Sequence, residues 1–430
     1  MNYNEAVEWL YSQTPQFQQI GAAAYKPGLD TVRILAGAFG NPQDSYKIIH
    51  VAGTNGKGST CHTLAAILHA AGLKVGLYTS PHLVDFRERI RVDGEMIPRE
   101  EVASFVGRYR NLNLDVVVDP SFFELTTVMA FDWFARCGVD VAVIEVGLGG
   151  RLDSTNIVNA EIGVITNVSF DHCAQLGHTL RQIAHEKSGI MRSGVPLICG
   201  ETDAEVQGYF DAEALEHGAN LIMAQNDNTG VGFIDSENGL TPMRITGTPF
   251  GDLDFQLTGI CQHQNALTIL SAVKQLKAMG WSIPDEAVKA GMACVADSTG
   301  LNGRWMVLGR SPLTVCDTGH NEGGWRLLSE QLAALPRPLT VVLGFVNDKD
   351  IDTILHLLPA DADYVFTNAS IPRALPASAL AAKARSVGLD GQTISGVKEA
   401  YEAAVAHTPA TGSVFVGGST FVVADLLKVL

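Results

Sequence analysis

Eight consecutive residues, Gly53-Thr54-Asn55-Gly56-Lys57-Gly58-Ser59-Thr60, hold the clearest chemistry in this 430-residue chain. Glycines let successive backbone N–H groups turn onto one anion, and the N-terminus of a following helix adds partial positive charge. The Lys57 ammonium has the reach to touch β- and γ-phosphates, and the Ser59 hydroxyl can join a Mg²⁺ shell. The spacing departs from the strict phosphate loop. Val51 stands where the first glycine belongs, and Gly58 separates the lysine from the hydroxyl. A tight strand–helix turn accounts for the glycines but not for the lysine among them, so the loop predicts nucleotide binding.

Three further residues stand at the ends of apolar runs. Glu145 closes VAVIE, Ser80 follows KVGLYT, and His172 follows EIGVITNVS and Asp171. The C-terminal ends of parallel strands are where α/β sheets bind ligands, and a carboxylate there suits Mg²⁺ bridging nucleotide phosphates. Taken singly, each fits a capping or packing role as well. Lys187, beside Glu186 in a helical pattern, reads by itself as part of a solvated face. The alternation of Arg87, Arg89 and Arg91 in FRERIRV predicts one exposed face of an extended segment, usable for anionic tails.

The extra Gly58 carries information. GTNGK is the pattern of the Mur-ligase-like amide synthases, and GTNGKGS resembles the folylpolyglutamate synthase/dihydrofolate synthase family, a resemblance that runs through almost the whole chain. It implies an ATP-dependent ligase that activates a folate or dihydropteroate carboxylate as an acyl phosphate and couples it to L-glutamate. The motifs EVGLGGRLD, SPHL and DH carry over Mg²⁺ ligands as Ser59, Ser80 and Glu145 for one ion and His172 with Glu145 for a second. The motif around Ile183-Ala184-His185-Glu186-Lys187 implies a carbamylated Lys187. Asn265, Arg304 and Asp317 match three nucleotide-contacting motifs, and His320 would lie near the γ-phosphate. Here Asn302 replaces the usual proline before Gly303-Arg304, and Gly319-His320-Asn321-Glu322 replaces Ala-His-Asn-Pro. Asp348-Lys349-Asp350 resembles the family's DKD. On the pterin side the resemblance points to Lys26, Pro27, Gly28, Ser121, Phe122, Phe123, Glu124, Leu152, Asp153 and Ser154, with the two phenylalanines as an aromatic wall; FFELTT alone reads equally as the start of a buried helix. Lys57, Lys187, His172 and Arg304 would then carry catalysis. Two rival readings stay open: a Mur-type ligase acting on a nucleotide-sugar peptide, and a non-catalytic P-loop module that senses nucleotide.

The elements that must position these residues alternate. Buried-strand runs YKIIHVA, KVGLYTS, VDVAVIEVG, EIGVITNVS and VPLICG alternate with helical patterns, which predicts an α/β fold with a P-loop parallel sheet covered on both faces. From about residue 225 to 258 the composition shifts to Gly, Thr, Asn and Asp, the pattern of a β-hairpin excursion. The segment ADSTGLNG reads as a turn-rich boundary, dividing the chain into a nucleotide domain over 1–298 and a smaller Rossmann-like domain over 299–430. Acidic residues outnumber basic ones 46 to 30, a net charge of −16 that argues against nucleic-acid partners and requires any ATP site to be locally positive. Seven scattered cysteines read as reduced thiols, and no apolar run is long enough to cross a bilayer. A cytoplasmic monomer that takes small-molecule substrates is the expectation.

Overall fold

A computed structural model describes residues 1–14, 26, 28–113, 118–347 and 350–430. The described chain divides into two compact units. One comprises Met1–Gly232, Ile245–Asp254 and His263–Gly300; the other comprises Phe233–Arg244, Phe255–Gln262 and Leu301–Leu430.

The first unit is built on eight strands: β1 (Lys47–Ala52), β2 (Val75–Tyr78), β3 (Ile90–Val92), β4 (Glu95–Met96), β5 (Val141–Glu145), β6 (Ile162–Asn167), β7 (Pro196–Glu201) and β8 (Asn220–Met223). Their order is β4-β3-β2-β5-β1-β6-β7-β8. From β2 to β8 all neighbours are parallel, whereas β3 and β4 add an antiparallel hairpin at one edge. Every residue of β5 and all but the first of β1 are buried, as strands covered by helices on both faces require. Register aligns the business ends. Val51 pairs with Glu145, Ala52 with Ile165, and Tyr78 with Ile144. The loops after β1, β2, β5 and β6 therefore leave the sheet side by side, on either side of β1, where the chain order reverses.

The helices begin where local chemistry starts them. Ser121 and Glu124 form a reciprocal capping box at Phe122–Cys137, and Thr179 with Gln182 does the same at Leu180–Ser188. The P-loop helix, Lys57–Ala70, has Gly56 as its N-cap, no side-chain cap and no acidic residue in its first turn. Its positive end is left for an outside anion.

A three-stranded sheet, β9 (Gly232–Ile234), β10 (Met243–Thr246) and β11 (Leu253–Phe255), occupies the hairpin excursion. The second unit carries β12 (Met306–Arg310), β13 (Leu313–Cys316), β14 (Leu339–Leu343), β15 (Asp363–Phe366), β16 (Gly391–Thr393) and β17 (Ser413–Gly417), in the order β12-β13-β17-β14-β15-β16. Only β12 runs antiparallel to its neighbour.

The break between the units at Gly300 and Leu301 falls inside the turn-rich ADSTGLNG segment, whose first residues belong to a short helix, Val295–Thr299, with Val295 and Thr299 buried. One expectation gives way. The Arg87–Arg91 segment is not one exposed strand face: Phe86–Arg89 is a 3-10 turn, and Arg89 and Arg91 are buried. The Arg89 guanidinium lies over the Phe122 ring and its Nε donates to His82 Nδ1. A capping box on Asp85 and Glu88 bends the chain here and breaks the period of two. No helix among the described residues is long and apolar enough to cross a membrane.

Candidate active site

The loop after β1 is held by the end of β6. Thr54 N donates to Asn167 O and Asn55 N to Asn167 Oδ1, both at 3.0 Å, while the Thr166 hydroxyl donates to Asn55 O at 2.5 Å. Two glycines are obligatory. At Gly53 (φ 146°) a Cβ would lie 1.8 Å from Thr166 Oγ1, and at Gly56 (φ 80°) it would lie 2.1 Å from Asn265 Oδ1. Asn265, from the helix Gln262–Ala278, is thereby placed against the loop. Lys57 Nζ donates to Gly53 O and Thr54 O, folding the ammonium over the loop. Gly58, Ser59 and Thr60 form the first helical turn; the Ser59 and Thr60 side chains are buried, and the Thr60 hydroxyl has no partner among the described residues. Buried polar groups demand partners, so this turn is chemically suited to phosphate oxygens.

Beside it, Glu145 is 3% exposed and accepts Ser80 N at 2.7 Å. Burial pushes the Cys61 thiol up, the Glu145 charge pushes it further and Lys57 opposes, so carboxylate and ammonium both flank the P-loop helix. His172 is not at a strand end. β6 stops at Asn167, and His172 heads the short helix Cys173–Leu176 in a left-handed conformation (φ 51°), with Asp171 Oδ2 3.8 Å from its Nε2. Among the described residues no three His, Cys, Asp or Glu side chains gather as a metal cage. Mg²⁺ keeps its waters and takes one or two protein oxygens plus phosphates. Ser59, Ser80 and Glu145 supply that kind of donor set.

Lys187 is no solvated helix face. It is 2% exposed at the end of Leu180–Ser188, and its ammonium makes no hydrogen bond or ion pair among the described residues. Burial, aided by the Lys57 charge, pushes its pKa down to about 7, with Asp171 opposing. Its neighbour Glu186 pairs instead with the exposed Arg151 at 2.7 Å.

The loop after β5 folds on itself. Asp153 accepts Leu148 N at 2.8 Å, Thr155 N at 3.0 Å and the Thr155 hydroxyl at 2.5 Å. Its carboxylate is spent on holding the loop, and burial raises its pKa against these bonds. Leu152 is half-buried and Ser154 buried in the same turn. Ser121 and Glu124 are likewise engaged, as the capping box. Phe122 is core, 5% exposed between Tyr11 and Phe86, whereas Phe123 is less buried and lies against Tyr78 and over Gly147. Lys26 Nζ, exposed, bonds Asp119. Gly28 has open space around its α-carbon. Pro27, Asp348 and Lys349 lie outside the described residues.

In the second unit Asp317 and Arg304 organise one corner. Asp317, buried after β13, accepts Trp305 N and Gly319 N, both at 2.7 Å, and burial raises its pKa while Arg304 opposes. Arg304 donates to Gly303 O and to the Thr318 hydroxyl, and His320 Nδ1 lies 3.1 Å from Thr318 O. Asn321 caps the helix Glu322–Ala333.

The support of Thr166 and Asn167 was invisible as a motif; its only trace is the polar pair that ends an otherwise apolar β6 run.

The chain matches the Mur ligase middle domain over residues 51–273 and the Mur ligase glutamate ligase domain over residues 303–420. It is similar to the dihydrofolate synthase/folylpolyglutamate synthase of Escherichia coli K12, 34% identical over 429 residues covering 99% of this chain and 96% of that protein. Among solved structures it resembles E. coli FolC in complex with DHPP and ADP, with a TM-score of 0.83, 32% identity and coverage of 100% and 97%. It also resembles a bifunctional folylpolyglutamate synthase/dihydrofolate synthase with Mn, AMPPNP and L-glutamate bound, with a TM-score of 0.81, 30% identity and coverage of 100% and 98%. A P-loop flanked by a strand-end carboxylate and matched along its whole length to these enzymes settles the lineage: the chain belongs to the dihydrofolate synthase/folylpolyglutamate synthase family of Mur-type ligases.

Proposed function

We propose that this ligase uses ATP to join L-glutamate to the carboxylate of a folate or dihydropteroate through an acyl phosphate. The observation that carries the reading is Glu145, buried beside the P-loop and register-matched to Val51, in a chain similar over its full length to glutamate-adding enzymes. A carboxylate oxygen of the acid attacks the γ-phosphorus and ADP leaves. The glutamate amine then attacks the acyl carbon, losing a proton, and inorganic phosphate departs.

In this scheme Gly53 to Thr60 wrap the phosphates, and Lys57 swings from the loop carbonyls onto them. Positioning and charge neutralisation supply most of the catalysis. Mg²⁺, when bound, would neutralise phosphate charge, with Ser59, Ser80 and Glu145 as one ligand set and His172 with Glu145 as a second. Asn265, Arg304, Asp317 and His320 serve as nucleotide contacts. A lysine whose amine is half neutral near pH 7 is chemically ready to add CO₂, which supports a carbamylated Lys187, an anion beside the Lys57 cation. Phe123 supplies the aromatic wall for the pterin, with Leu152 and Ser154 near it. The protein acts as a monomer with domains over 1–298 and 299–430.

Product analysis by mass spectrometry tests the reading, with dihydropteroate and tetrahydrofolate offered separately beside ATP and glutamate. A mass gain of one or more glutamyl residues is expected on at least one acid. ATP turnover without either conjugate would sink it.

A further inference from the structure

A buried hydrogen-bond relay links β1 to the loop after β5. His50 lies in β1 three residues ahead of Gly53 and is 2% exposed. Its Nε2 is 2.8 Å from Thr155 Oγ1, and that hydroxyl donates to Asp153 Oδ1. A threonine hydroxyl has one proton to give. Since the carboxylate receives it, Thr155 Oγ1 faces His50 as an acceptor, and Nε2 must carry the hydrogen. The imidazole is neutral in this role: burial, with the Arg192 charge, pushes its pKa down to about 3.

The relay ends on backbone that shapes the site. Asp153 Oδ2 accepts Leu148 N, and the preceding Gly147 is so close to Phe123 that a Cβ would lie 2.4 Å from the ring. The same loop rests on the helix of Lys187, through Arg151 N to Glu186 O at 2.7 Å. The P-loop is held by other groups, Thr166 and Asn167. Cutting the relay therefore loosens one wall and leaves the other standing.

We infer that His50 and Thr155 are positioning residues for the pterin-acid side of the site: they fix Asp153, and through it the Gly147–Leu148 backbone, against the Phe123 ring. The identity of the ligand rests on the proposed function; the mechanical part does not.

Two readouts on the full chain separate these parts. Thr155→Val keeps the shape and removes the hydroxyl, leaving the His50 N–H and an Asp153 oxygen each short of a partner. It should speed amide hydrogen exchange across residues 147–150 by about tenfold or more while leaving 53–60 unchanged, because a buried unmet polar group weakens local closure on that scale. Dihydropteroate binding, followed by pterin fluorescence, should weaken about tenfold and ATP binding by less than about twofold; Thr155→Ser should restore both readouts. Should Thr155→Val fail to fold, His50→Asn, whose amide falls short of Thr155, supplies the same measurements in milder form. Unchanged exchange at 147–150, or equal losses for ATP and dihydropteroate, would overturn the inference. Wild-type chain that binds no pterin acid would sink the function reading and the ligand half of the inference together, while the exchange data still decide whether the relay holds the loop.

Discussion

The loop after β1 and the loop after β5 leave adjacent strands of one sheet and solve opposite problems. The first turns its polar groups outward: its helix has no side-chain cap, its first turn has no acid, and Lys57 waits on loop carbonyls. The second turns them inward, with Asp153, Thr155 and His50 satisfying one another and leaving shape rather than charge to face a ligand. An anion such as ATP needs donors held open by a rigid surround, whereas a flat ring needs a wall that does not move.

That contrast breaks most sharply at Lys57. Lys57→Ala should lower kcat/KM by about 10³-fold or more, with a thermal melt little changed, because besides the bonds to ligand only two part-buried bonds to the Gly53 and Thr54 carbonyls are lost. Full activity in that variant would contradict the outward-facing role. Glu145→Gln keeps the volume and the Ser80 contact but removes the charge; turnover should fall about 10²-fold or more and respond to added Mg²⁺. Gly53→Ala drives a Cβ into Thr166 and should weaken ATP binding about tenfold or more with a lower melting temperature, while pterin binding holds.

Lys187 supplies a pH test. Its folded pKa, about 7, lies below the ordinary 10.5, so between those values the unfolded chain binds one proton more. Its burial therefore costs stability most below pH 7, and the cost fades as pH rises toward 10.5. Lys187→Met should flatten that slope in denaturant titrations and abolish ligation; a carbamate signal with ¹³C-bicarbonate in the wild type, growing as pH passes 7, would tie the slope to chemistry. The smallest effect belongs to the capping box: Ser121→Ala should cost about 1 kcal/mol of stability and little activity if its hydroxyl serves the helix rather than the substrate.

What was legible in the sequence follows the same division. β1 and β5 read plainly because continuous apolar runs have one use, and the P-loop because glycine and lysine together are rarely decorative. β16 did not, since the edge strand Gly391–Thr393 is exposed and carries no apolar pattern, and β12 at the opposite edge, a half-buried Met306–Arg310 run, went unread as well. Arg89 and Lys187 misled on their own: charge predicts solvent, and only the fold shows that the one lies over Phe122 and the other is buried. The roles of Ser121, Glu124 and Asp153 were harder still. A capping box and a substrate contact use the same side chains at the same spacing, so the sequence alone does not separate the two roles.

The claim on which everything else depends is activation of the acid as an acyl phosphate. Substrate acid labelled with ¹⁸O in its reacting carboxylate, turned over with ATP and L-glutamate, tests it directly. The account predicts one ¹⁸O in each inorganic phosphate released, because the carboxylate oxygen that attacks phosphorus leaves with it. Unlabelled phosphate accompanying the glutamyl product would contradict it.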